Sequence, residues 1–393
     1  ATPTRPTVTP LPSVVDGWNR IPLPAGFTLS FPTFAIAPSD GNTAYACVVA
    51  EGANQTPRPG ISANQFWATH DRGAHWTRMT DPPGDSVNQC SLQVDALNSA
   101  IVVAWGRSIP LYSTPPAGTP PALMANGGGQ FAAVTFDGGA TWQQPTGDAD
   151  PGGTRLLATS NGVTYAVRCC YSQPASEERL MVSRDRMASW KPIDAAIVAA
   201  GQGVDTFFFR PDTGALLANA FDVNTLDRHL WQSADGGAHW TELPSPATSF
   251  ADSYVVQQPM SGQPWHLCAE TFKPLHDVNT NPGPPTGIVC SSDGGHHWTS
   301  RPMPNASSAG FALIGITNTG DLLAQDSSTT ATLYRLPAGS TQWQTFDTAP
   351  GSGPAVTVIP GPGSGVLWAV PIPPNGYSPY DPTGQIFTKD YIG

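Results

Sequence analysis

Apolar positions along this chain fall in short runs rich in Val, Ile, Phe and Ala, bounded by Gly, Pro, Asn and Asp. Runs of that kind predict strands rather than helices. Gly287-Ile288-Val289-Cys290 is one of them, and a polar turn and a short polar–apolar stretch follow it. In chain order, strands are expected within 31–36, 43–49, 89–94, 101–105, 154–159, 163–170, 206–209, 254–256, 311–317, 321–325, 331–336, 355–359 and 366–370. Long polar or Pro/Gly-rich loops separate some of them, notably 51–65, 106–130 and 270–286.

One polar turn recurs from end to end, and repeats decide architecture before local propensity does. Its form is Ser/Thr-x-Asp-x-Gly-x-x-Trp, clearest at 291–298 with Asp293 and Trp298. Clean copies carry Asp71 and Trp76, Asp137 and Trp142, and Asp235 and Trp240. The copy with Asp185 and Trp190 has Met187 where glycine is expected, and the copy ending at Trp343 keeps little more than its tryptophan and Gly339. The hydroxyl and carboxylate accept backbone N–H bonds that close a tight turn. Glycine supplies a positive φ, and tryptophan fills an apolar gap.

Each turn therefore joins the last two strands of a small sheet. The chain ends on the front of a copy, with Asp390, and begins on the back of one, with Trp18. The two ends are expected to complete one shared blade, which leaves no open sheet edge. Seven tryptophans from Trp18 to Trp343 then mark seven sheets. The prediction is an all-β, seven-bladed β-propeller of four-stranded antiparallel blades over 13–393, after a Thr/Pro-rich linker or stalk at 1–12.

Composition narrows the function classes. With 40 glycines and 42 prolines, turns dominate and long helices are disfavoured. No apolar run reaches membrane-span length. A net charge of −11 with only three lysines argues against nucleic acid or an anionic membrane as partner. The chain starts without methionine, so its first residues are expected to be the stalk of a mature exported protein, or an arbitrary end.

Six cysteines permit several pairings. Cys268 and Cys290 fall on neighbouring strands, where a bridge would contribute about 3 kcal/mol. Cys47 and Cys90 suit a bridge between blades, and the adjacent Cys169 and Cys170 suit a vicinal one. Buried thiols are the alternative. Bridges place the protein outside the cytoplasm.

In this architecture the loops between second and third strands share a face with the connections between blades, opposite the repeated turns. Those loops carry Arg107, Tyr112, Tyr171, Arg228, His276, Tyr377 and Tyr380, which are the candidate ligand contacts. Asp85, Asp150, Asp205 and Asp252 each precede a first strand of blades two to five and face the funnel mouth. They could serve as acid and base, hold a Ca-type cation, or simply cap turns. No cofactor is expected. His75, His239 and His297 lie on separate blades and cannot converge on one metal ion.

The repeat resembles the Asp-box (BNR) motif shared by sialidases, sortilin-type receptors, xyloglucan-degrading glycosidases and a photosystem II assembly factor. The resemblance spans essentially the whole chain and implies a fold, because the box in those families is structural. Sialidases carry an Arg-Ile-Pro motif, and Arg20-Ile21-Pro22 matches its letters. The repeat frame puts Arg20 on an outermost strand, away from the funnel, and so argues against a sialidase arginine. The expectation is a secreted or cell-surface module that binds a glycan or an extracellular protein without catalysis. The alternatives are a sialidase-like glycoside hydrolase or lyase using the funnel aspartates, and an extracellular assembly scaffold.

Overall fold

A computed structural model describes residues 14–15, 17–22, 33–37, 40–49, 64–82, 89–95, 97–107, 130–143, 154–160, 162–168, 179–210, 212–222, 224–225, 227–244, 250–257, 264–272, 285–305, 310–317, 319–326, 332–350, 356–360, 366–371 and 386–391. They form a seven-bladed β-propeller of small antiparallel sheets. Blade 4 shows the plan: Gln202–Phe209 is innermost, followed outward by Leu216–Asp222, Arg228–Ser233 and Thr241–Leu243. The one described helix is the five-residue Ala195–Ala199, leading into blade 4. In blade 2, among the described residues, a single bridge between Val134 and Gln143 stands at the place of the fourth strand.

The ends meet as expected. Trp18–Arg20 pairs with Phe387–Asp390, placing Asn19 opposite Thr388. Val14–Val15 folds back outside Trp18–Arg20, so this blade has five strands rather than four. Arg20 accordingly sits one strand in from the rim and three strands out from the innermost Val356–Pro360.

Alternating apolar residues give each blade two apolar faces, and both must be covered. The buried apolar residues form seven clusters, one for each seam between neighbouring blades. The seam between blades 4 and 5, for instance, joins Leu217 and Leu230 to Trp265 and Leu267.

The repeated turns share one hydrogen-bond pattern. In the turn after Gly287–Ser291, the Ser291 hydroxyl donates to Asp293 Oδ1 at 2.8 Å and accepts from the Gly295 N–H at 2.8 Å. The His297 N–H donates to Asp293 Oδ1 at 2.9 Å, and His297 Nδ1 lies 2.5 Å from Asp293 Oδ2. His75 and His239 bond Asp71 and Asp235 in the same way. Thr141 and Ser189 take that place against Asp137 and Asp185. The histidines are thus exposed partners of their own turn aspartates.

The indole N–H of the tryptophan reaches back to the preceding blade. Trp142 donates to Thr80 O at 2.8 Å, Trp240 to Ile193 O at 2.6 Å and Trp343 to Pro302 O at 2.7 Å. Trp18 closes the ring onto Thr348 O at 3.1 Å. The turn glycine rests on the residue three positions after the preceding blade's tryptophan: Gly73 on Ile21, Gly139 on Met79, Gly237 on Ile193 and Gly295 on Leu243. In blade 3 Met187 occupies the glycine position at φ 67°, 1% exposed, and fills the seam itself.

Two predictions follow from the turns. At Gly237 (φ +92°) an added Cβ would lie 2.4 Å from Ile193 Cδ1, whereas at Gly339 (φ +76°) nothing lies within 4 Å. Gly237→Ala should therefore cost about 2 kcal/mol or more, and Gly339→Ala only the backbone strain of about 1 kcal/mol, read from denaturant midpoints.

The second concerns acid. Hydrogen bonds hold Asp71, Asp137 and Asp185 down at about 2, with Asp235 and Asp293 also lowered from the ordinary 3.8. The His75 N–H is the main cause at Asp71, and the Thr141 and Ser189 hydroxyls lead at Asp137 and Asp185. Carboxylates depressed on folding stabilise fully above the unfolded value and lose that contribution as pH falls through the folded one. Stability from these five turns should hold above pH 3.8 and fall away towards about pH 2, followed by circular dichroism during acid titration.

Candidate functional site

The innermost strands carry β-bulges in four consecutive blades, and a bulge re-aims side chains. The register shifts between Thr154 and Leu156, Val204 and Thr206, Ala251 and Tyr254, and Leu313 and Gly315. Asp205 is the bulged residue of blade 4, and Asp252 lies inside the bulge of blade 5. Two funnel aspartates thus sit within strands rather than ahead of them. Asp85 and Asp150 lie outside the described residues.

Asp205 meets another predicted residue. Arg228 opens the third strand of blade 4, and its guanidinium nitrogen is 2.9 Å from Asp205 Oδ2. The two side chains are only 17% and 14% exposed, so solvent screens the pair weakly. The guanidinium also lies 5.6 Å from the centre of the Phe221 ring. On the other face of the blade, the Trp231 indole N–H donates to Gln202 Oε1 at 2.7 Å. Arg228 and Asp205, read from sequence as a ligand contact and an acid–base candidate, are partners within one blade.

Where the second strand of that blade turns into the third, Asp222 Oδ1 accepts the N–H groups of Asn224 and Thr225 at 2.8 and 2.9 Å. The Thr225 N–H is the main cause that lowers its pKa. Arg107 ends the second strand of blade 2, with Gln89 and Gln130 as its strand neighbours. Tyr112, Tyr171, His276, Tyr377 and Tyr380 lie outside the described residues, as do Cys169 and Cys170.

Cysteine pairing is partly answered. Cys268 and Cys290 are bonded, and they stand directly opposite each other in blade 5. Cys47 is disulfide-bonded as well, while the side chain of Cys90 is outside the description. No group of three metal-ligating side chains occurs among the described residues.

One set of residues was missed from sequence. Counting from the second-strand residue opposite the turn's Ser or Thr, the third position onward faces the next blade. It holds Cys47 in blade 1, Asn219 in blade 4 and Glu270 in blade 5. Glu270, 4% exposed, accepts the Leu313 N–H at the bulge of blade 6. Asn219 is fully buried, and neither polar atom of its side chain finds a partner among the described residues. Reading burial at that position requires aligning seven blades by strand register.

Comparison with known proteins bears on the fold. No protein-family model matches the chain, and no curated protein matches it by sequence. Among solved structures it is similar to YCF48 from Cyanidioschyzon merolae, at 12% identity and TM-score 0.51, covering 95% of this chain and 99% of that one. It is also similar to YCF48 bound to D1 peptide, at 15% identity and TM-score 0.52, covering 98% and 100%. An α-L-arabinanase from Penicillium chrysogenum complexed with arabinobiose is 14% identical, with TM-score 0.44, over 94% and 96%. The likeness is one of fold.

The ion pair generates a prediction. Asp205→Ala and Arg228→Ala should each destabilise the chain by about 1–3 kcal/mol, by taking one partner away from a partly buried charge. The double variant should cost less than the sum, by about 1 kcal/mol in a double-mutant cycle. Zero coupling would show that the contact holds nothing together.

Proposed function

We propose that this propeller is a non-catalytic, extracytoplasmic binding module that takes a glycan or an extracellular protein on its loop-bearing face. The observation that carries the proposal is an asymmetry of loop length. Connections between first and second strands are short, as from Ser160 to Val163 or Phe209 to Leu216. Those between second and third strands include three long ones, from Arg107 to Gln130, Phe272 to Gly287 and Pro371 to Phe387, beside short ones from Asp222 to Arg228 and Asp326 to Thr332. A scaffold gains nothing from such length on one face only, whereas a binding surface does. The shared hydrogen bonds of five turns support the Asp-box likeness, and the bonded cysteines support a compartment outside the cytoplasm.

Catalysis is the weaker reading. Asp205 is already engaged by Arg228, 2.9 Å away within the same blade, and is not left free to meet a substrate. A solved YCF48 structure holds a D1 peptide, so peptides belong among the ligands tried.

The test is a broad glycan and peptide array read for both retained protein and released sugar. Retention without release is expected. Replacing 108–129 by a short Gly/Ser linker should weaken retention by about tenfold or more, the loss of roughly one well-made polar contact. Release of sugar would overturn the proposal and make Asp205 and Asp252 the first residues to change. Silence on the array, with a stable protein complex, would favour an assembly scaffold.

A further inference from the structure

The six seams that do not join blades 5 and 6 are filled at the level of the turns wherever they are described. Ile21, Met79, Ile193 and Leu243 plug four of them against a turn glycine. Met187 fills the seam between blades 2 and 3. Phe346 packs on Tyr391 between blades 6 and 7, with ring centres 5.5 Å apart. Blade 5 breaks the rule. By register Arg301 stands opposite Ile288 as Leu243 stands opposite Leu230, so the apolar plug is replaced by a guanidinium. In blade 6 the turn has lost its Ser/Thr, Asp and second glycine, and Ser340 stands at that glycine's position.

The result is a pocket of about 90 Å³, on the face opposite the long loops. Arg301, His266, Ser340, Gly339, Gly320 and the bridged Cys268–Cys290 contribute to its lining. Arg301 and His266 are half-buried. Burial and then the Arg301 charge push the His266 pKa down, so at neutral pH the imidazole is an uncharged polar neighbour of a fixed cation. Among the described residues no carboxylate pairs with Arg301. Asp321, next to Gly320 in sequence, is engaged by Arg335 at 2.6 Å and by the Ala338 N–H at 2.8 Å.

We propose that this pocket between blades 5 and 6 binds a tetrahedral oxyanion, as free phosphate or sulfate or as the monoester group of a sugar. A guanidinium presents a planar fork of donors suited to such oxygens. A half-buried cation without a carboxylate gains most from an anion that restores the lost solvation. Ser340 stands where most of the other turns carry glycine, and its hydroxyl is tied into its own turn, donating to Gln342 O at 3.2 Å and accepting the Gln342 N–H at 3.0 Å. The volume of about 90 Å³ is enough for a group of five heavy atoms. The site is independent of the loop-bearing face and of whatever binds there.

The test is titration calorimetry of the full chain with sodium sulfate, inorganic phosphate and glucose 6-phosphate, at constant ionic strength held with chloride. One anion per chain is expected. Arg301→Leu restores the residue type found at the neighbouring seam, so the fold should be retained, and affinity should fall by at least about tenfold. Arg301→Gln should give the same loss if the leucine variant fails to fold. Tighter binding of glucose 6-phosphate than of phosphate would identify a sugar monoester as the source, and equal binding a free ion. Unchanged affinity in both variants, or no binding by the wild type, would overturn the assignment.

Discussion

Everything in this molecule depends on the seam between blades. A four-stranded sheet with two apolar faces cannot stand alone in water, and each blade here has a neighbour on both sides. The seven buried clusters lie between sheets rather than within one central core. Apolar burial supplies adhesion, and polar contacts supply register. The indole N–H bonds and the turn residues packed on the preceding blade fix how far one sheet slides along the next. Because a ring must close, an error at any seam would accumulate around it, which is a physical reason for keeping one turn geometry so many times over.

The fold was legible because its marker is redundant. A turn such as that of Asp293 and Trp298 states strand, hairpin and seam in eight residues, and copies related by strict bonding need not be individually perfect. Met187 shows this: its backbone takes the same left-handed conformation that glycine would. The fifth strand at Val14–Val15 was not legible, since two valines beside a turn carry no periodicity. Nor was the placement of Asp205, because a bulge is a local change of register that leaves composition unaltered.

Sites were harder to read than blades. Single residues on loops have no internal copies against which a departure could be seen. Where copies exist, departures become informative: Arg301 looks ordinary as a letter after Trp298 and unusual only beside Leu243, Ile193 and Met79. Asn219 and Glu270 likewise acquire meaning from holding one position in successive blades. Blade-by-blade register is thus the scale on which chemistry stands out from scaffold.

The shared blade has a mechanical side. Trp18–Arg20 and Phe387–Asp390 run antiparallel, with the start of one beside the end of the other. Force drawn across residues 18 and 390 would therefore load the ladder one rung at a time, as in opening a zip, instead of straining all rungs together. The joint that seals the ring against solvent is also the place where tension would peel it, and the Trp18 bond to Thr348 is the transverse tie that resists the first step.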